Sequence, residues 1–234
     1  MMAVQKSRGL SKLLSGVLCV SLTAFLICFP TTALEAYRSV ENDSMKIAIT
    51  FDDGPHPILT PRILNILDRF HVSATFFMVG VNIENYPETA RAVIDAGHEV
   101  GNHTYSHTHL ERLSREDVER EIWLCEDILE ELCEYRPHLF RPPEGAMSTY
   151  VENSSEENDY TLILWSLDTR DWENKNTEQI VETVLSKIHP GDIILMHDYI
   201  GRHSKTPEAL EILLPRLIER GYEPVTVSEL LGER

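Results

Sequence analysis

The chain has 234 residues, 42% of them hydrophobic and 25% charged, and a formal net charge of −17. That composition excludes disordered, collagenous and coiled-coil architectures and supplies enough apolar side chains for one sizeable core. The acidic balance argues against nucleic acid and anionic lipid surfaces, which both want a basic footprint; a neutral or cationic polymer fits, and so does a merely solvated acidic face.

The first 33 residues read as an export leader. Lys6, Arg8 and Lys12 precede an apolar stretch over 13–29, and the small residues of PTTALEA follow. This is the order of a secretory signal, with cleavage after Ala33 or Ala36. The apolar stretch is nearly long enough to span a bilayer, so an uncleaved N-terminal anchor is the alternative. Ile27 before Cys28 makes no lipobox. Without the three leader cations the formal charge becomes −20. Residues 34–44 read as a short irregular linker and 45–234 as one domain.

From Lys46 onward, short β-rich apolar runs alternate with helical patterns. The runs are KIAITF (46–51), ATFFMVG (74–80), HEVGN (98–102), HLFRP (138–142), TLILWS (161–166), DIILMH (192–197) and EPVTV (223–227). Seven strands are expected. Between them, Thr60-Pro61 reads as an N-cap with Pro at the first helical position, and Pro87 opens a helix closed by Gly97. Ser114 with Asp117 makes a capping signature for a helix running to about Cys133. Thr177 and Thr206-Pro207 start two more, and 147–160 is weakly helical. Cys125 and Cys133 fall in one helix about 12 Å apart, too far for a disulfide, so both are expected to be free and packed on the core. Strands alternating with helices of this length predict parallel βαβ units, hence a barrel or a doubly wound sheet.

The polar residues have a common address on that map. Asp52 and Asp53 follow the first strand, His103 and His107 the third. Arg141 ends the fourth, Asp168, Asp171 and Trp172 follow the fifth, and His197 ends the sixth. In either architecture those C-terminal ends converge on one face, where active sites are built. His103 and His107 are spaced to face one point. With Asp53 from the neighbouring strand they make a His-His-Asp set whose N and O ligands suit catalytic Zn²⁺, Co²⁺ or Ni²⁺. Hydrolysis also needs a base, an oxyanion donor and an acid. Asp52, the kinked RPPEG (141–145) and His197 are the candidates, with Arg141 to pair a carboxylate. Each residue has a bland alternative: a strand-end Asp as a helix N-cap, Asp168 as a turn cap, His197 as a core histidine. Trp165 reads as core and His109 as exposed loop.

TFDDGP (50–55), HTYSH (103–107), RPPEG (141–145), DTRDW (168–172) and LMH (195–197) resemble, in order and spacing, the motifs of the polysaccharide deacetylases, carbohydrate esterase family four. The resemblance spans about 46 to 232 and implies a distorted (β/α) barrel of seven or eight strands. It implies Asp53, His103 and His107 as metal ligands and Asp52 as the base that activates water, with Arg141 as its partner. It further implies the Glu144 backbone N–H as oxyanion donor, His197 as the acid for the leaving amine and Asp171 as the residue orienting it. Trp172 and Leu195 would wall the sugar groove. Many relatives carry Tyr or Phe where this chain has Glu144, which bears on the groove wall. The implied activity is metal-dependent N-deacetylation of amino sugars in peptidoglycan or chitin-like glycans, with Zn²⁺ the expected cation. O-deacetylation of a polymer such as xylan and non-catalytic carbohydrate binding are the competitors. The expected protein is a secreted or surface-anchored monomer that meets a membrane only through an uncleaved anchor.

Overall fold

The computed structural model describes residues 36–41, 44–173, 175–199 and 204–233, so the expected leader lies outside the described residues. In chain order the elements are β1 Lys46–Asp52, α1 Leu59–Phe70, β2 Thr75–Met78, α2 Gly80–Asn85, α3 Pro87–Asp95, β3 Glu99–Asn102 and α4 Arg115–Cys133. There follow β4 Leu139–Phe140, α5 Thr149–Glu157, β5 Thr161–Leu162, β6 Leu167–Asp168, α6 Thr177–Leu185, β7 Ile193–His197, α7 Thr206–Glu219, β8 Glu223–Val225 and α8 Val227–Leu231. All seven strand pairings are parallel, and the sheet runs β5-β4-β3-β2-β1-β7-β6 with β8 joined to β1 beside that path. This is a distorted (β/α) barrel.

Period-two alternation sorts β1 into two faces. Ile47, Ile49 and Phe51 pack into the main core with the helices α1, α6 and α7. Ala48 points the other way, into a second cluster with Phe77, Leu139, Ile163, Ile193 and Val225. Thr50 and Asp52 share Ala48's face, which is how a carboxylate comes to stand at the end of a buried strand.

Two expectations need correction. The run 161–166 is not one strand. Its start is β5, and the chain then crosses to the far edge of the sheet to form β6. An apolar run carries no mark of that crossing. Within the stretch read as irregular linker, the described residues 36–41 form a strap across the resulting seam. Tyr37 donates to the Leu162 carbonyl at 2.9 Å and accepts from the Leu164 N–H at 2.7 Å, while Val40 donates to the Gly191 carbonyl at 2.9 Å.

Most helix signals are realised. Ser114 accepts from the Asp117 N–H at 3.3 Å, and α4 ends at Cys133. Cys125 and Cys133 are free thiols, the first buried and the second partly so. Thr60 is different: α1 begins at Leu59 without a side-chain cap, and the Thr60 hydroxyl donates to the Asp198 carboxylate instead. Among the described residues no helix is long and apolar enough to cross a membrane.

Candidate active site

Two adjacent acids on a strand should face opposite ways. Here Asp52 is the last residue of β1, and Asp53 takes a left-handed conformation, φ 75°. Asp tolerates that region better than most residues. The reversal swings the Asp53 carboxylate back to the side of the sheet on which Asp52 already lies. Asn82 Nδ2 donates to the Asp53 carbonyl at 2.7 Å, and Val79 N–H to the Gly54 carbonyl at 2.8 Å, so the turn is tied down by α2 and the residue before it.

HTYSH is a loop, not a helix. Thr104 and His107 both have positive φ, 68° and 56°. The Glu121 side chain of α4 accepts from Ser106 N–H and Oγ at 2.8 and 2.9 Å, stitching the loop down. His103 is 1% exposed. Its Nδ1 lies 2.6 Å from the Arg141 carbonyl oxygen, which can only accept, so Nδ1 carries the hydrogen and Nε2 presents a lone pair. Nε2 sits 3.5 Å from Asp53 Oδ1, and His107 Nε2 sits 3.1 Å from the same oxygen. The three ligand atoms lie within 4.8 Å of one another. Burial alone would raise the Asp53 pKa, but the His103 and His107 hydrogen bonds outweigh it and hold the carboxyl well below the usual range. The same bond raises His107. One carboxylate oxygen and two imidazole nitrogens, with one tautomer already fixed, fit a divalent cation.

Arg141 is the largest fully buried side chain among the described residues. Its Nη1 donates to Asp52 Oδ1 at 2.6 Å and to Thr50 Oγ1 at 2.7 Å. Nη2 and Nε donate to the Leu164 and Ile163 carbonyls at 2.9 and 3.3 Å. The guanidinium also lies 4.0 Å over the Phe77 ring. Asp52 Oδ1 is therefore committed, and Oδ2 stands 3.7 Å from His103 Nε2.

His197 ends β7 directly beside Asp52 in the sheet register. Asp171 Oδ1 lies 2.8 Å from His197 Nδ1. Asp171 Oδ2 accepts from the His197 backbone N–H at 2.9 Å and from Thr206 Oγ1 at 2.7 Å. Burial works against the imidazolium, but the Asp171 hydrogen bond and charge prevail and raise the His197 pKa to about 9.

These groups surround a cleft of about 500 Å³. Asp52, Asp53, His103, His107, Glu144, Trp172, Leu195 and His197 line it, as do Trp165 and Asp168. Arg141 and Asp171 stand behind it. Glu144 has φ 58° in the 3₁₀ turn Pro143–Gly145, and among the described residues its backbone N–H makes no hydrogen bond. Trp172 is 49% exposed at the rim. Asp168 also accepts from the Arg170 N–H at 2.7 Å, so it caps a turn as well as facing the cleft.

Two readings change. Trp165 packs against the second core cluster, as expected, but it is only partly buried and also walls the cleft, because the strand expected to bury it breaks before it. His109 is not exposed loop: it is half-buried, with Nε2 3.5 Å from Glu144 Oε2. Sequence reasoning gives Thr50 and Glu121 no role of their own and reads Thr206 only as a helix start. A lone Thr or Glu carries no spacing signal, and only the fold shows what it holds.

The pattern that defines the polysaccharide deacetylases matches residues 39–163. A peptidoglycan-N-acetylglucosamine deacetylase of Bacillus cereus is 42% identical over 194 residues, covering 82% of this chain and 91% of that protein. The crystal structure of a peptidoglycan N-acetylglucosamine deacetylase in complex with 4-naphthalen-1-yl-N-oxidanyl-benzamide superposes with a TM-score of 0.81 at 33% identity, over 84% of this chain and 92% of that one. A family 4 acetyl xylan esterase from Clostridium thermocellum in complex with a cobalt ion gives 0.73 at 34% identity, over 80% and 90%. With the fold, the ordered motifs and these likenesses in agreement, the chain belongs to the polysaccharide deacetylase family.

Proposed function

We propose that the cleft hydrolyses the acetamide of N-acetylated amino sugars in a glycan of peptidoglycan or chitin type, with Zn²⁺ held by Asp53, His103 and His107. As a member of its family the chain is a metal-dependent polysaccharide N-deacetylase. The observation that carries the residue assignment is the pairing of two unlike proton-transfer groups, Asp52 with Arg141 and His197 with Asp171, around one His-His-Asp donor set. Bound there, a divalent cation supplies Lewis-acid polarisation of the amide carbonyl and a lowered pKa for water.

The residues do the rest. Asp52 Oδ1 is engaged by Arg141, so Oδ2 takes the proton of the attacking water. The Glu144 N–H donates to the carbonyl oxygen as it gains charge. His197 carries a proton at neutral pH because of Asp171, and gives it to the departing nitrogen. Trp172, Trp165 and Leu195 supply the apolar walls on which a pyranose ring rests. We further infer that residues 1–33 export the chain, putting the domain where such glycans occur.

Acetate release decides the matter. Peptidoglycan fragments and N-acetylglucosamine oligomers should release acetate, lose that release with chelator and regain it with Zn²⁺. A folded, metal-loaded protein that releases none from any amide-bearing glycan would sink the reading. Faster release from acetylated xylan would favour ester chemistry, in keeping with the likeness to the acetyl xylan esterase.

A further inference from the structure

Asp198 follows His197, yet its side chain points away from the cleft and is used by none of the steps above. It is 1% exposed. Its Oδ2 accepts from Thr60 Oγ1 at 2.5 Å, and among the described residues its Oδ1 is buried with no hydrogen-bond partner. A buried carboxyl half without partners is costly to keep, so its surroundings need an explanation.

Those surroundings are the turn that presents Asp53. The Asp198 N–H donates to the Asp52 carbonyl at 3.2 Å, one residue before Asp53. One residue after it, a Cβ built on Gly54 would collide with both Asp198 carboxylate oxygens, so the carboxyl packs flat against the glycine Cα. Gly54 does not have positive φ, so its missing side chain serves this approach and not a left-handed backbone. Thr60 extends the contact: its Oγ1 accepts from the His56 N–H at 2.8 Å and its N–H donates to the His56 carbonyl at 3.2 Å. A non-glycine residue at positive φ, as Asp53 is, persists only where its neighbours over-determine it.

We propose that Asp198 and Thr60 are a positioning pair for the metal site, clamping the residues on both sides of Asp53 so that its carboxylate stays aimed at His103 and His107. The proposal rests on Asp53 being a ligand. Groups behind a metal ligand typically set about 10- to 100-fold of its affinity.

The test is Co²⁺ titration of the full-length protein, reading affinity and the visible absorption spectrum, beside thermal unfolding of the metal-free form. D198A and T60V should each weaken Co²⁺ about 10- to 100-fold and alter the spectrum. D198N keeps the shape and an acceptor for Thr60, and should recover most of the loss. G54A should weaken binding because its methyl strikes Asp198. The double variant G54A/D198A should bind better than G54A, since the methyl then fills the vacated space. If D198A fails to fold, T60V and G54A carry the test alone. Folded D198A and T60V that bind Co²⁺ with wild-type affinity and spectrum overturn the positioning role. If instead D53A binds as tightly as wild type, it is the assignment of Asp53 as a ligand that falls.

Discussion

Asp52 and Asp53 are neighbours in sequence and opposites in situation. Asp52 keeps strand geometry and meets Arg141 inside the barrel; Asp53 leaves it and meets the two histidines. Because Arg141 and Asp52 are both buried, removing one partner is costlier than the pair is worth. Arg141→Met should destabilise the fold by about 3–5 kcal/mol and abolish turnover, read by chemical denaturation and acetate release. Across the cleft, the hydrogen bond and charge of Asp171 hold a proton on His197 to about pH 9. As the proposed acid, His197 must be protonated to act, so activity should fall as pH rises through that value. Asp171→Asn removes the charge and lets the imidazole return toward about 6.5. The basic limb of the pH profile then moves down, and at pH 8 titration alone lowers kcat/KM about 30-fold. An unmoved limb would show that His197 is not the group being titrated.

At the scale of elements, legibility followed local chemistry. Caps and breakers such as Ser114, Pro87 and Gly97 mark their helices because the signal lies within one turn of the boundary. The short helix α2 has no such mark, because Val79 and Gly80 continue an apolar run that reads as strand. The division of 161–168 between two sheet edges was invisible for a different reason, since pairing partners are not written in periodicity. The same is true of the strap. Tyr37 binds the backbone on either side of Ile163, and the Ile163 and Leu164 carbonyls hold Arg141. Losing the strap should therefore loosen the site as well as the seam. A chain beginning after residue 41, compared with one beginning at 36, forfeits at least the three backbone hydrogen bonds described above, about 3 kcal/mol at roughly 1 kcal/mol each. For a domain of this size that is about 6–12 °C in Tm by calorimetry. Activity measured well below either Tm should also fall.

Over the whole molecule, the parallel sheet explains why so much of the cleft was legible before any contact was known. Parallel strands put all their C-terminal ends on one face, so residues scattered from Asp52 to His197 converge without any local signal joining them. Charge is the other property of that scale. A chain of formal charge −17 has a field that attracts cations. Glu144, 66% exposed in its side chain, brings that field to the lip of the cleft. N-deacetylation turns a neutral acetamide into an ammonium, so a partly processed N-acetylglucosamine oligomer carries positive charge and a fully acetylated one carries none. Attraction between exposed charges is screened over about 8–10 Å at physiological salt. Raising ionic strength from 0.02 to about 0.5 M should thus raise KM for partly deacetylated oligomers while leaving KM for fully acetylated ones unchanged. In Glu144→Gln the salt response on the charged oligomers should shrink, whatever the variant does to the absolute rate. Equal salt dependence on both substrates would place the acidic charge outside substrate recognition, as a solvated surface only.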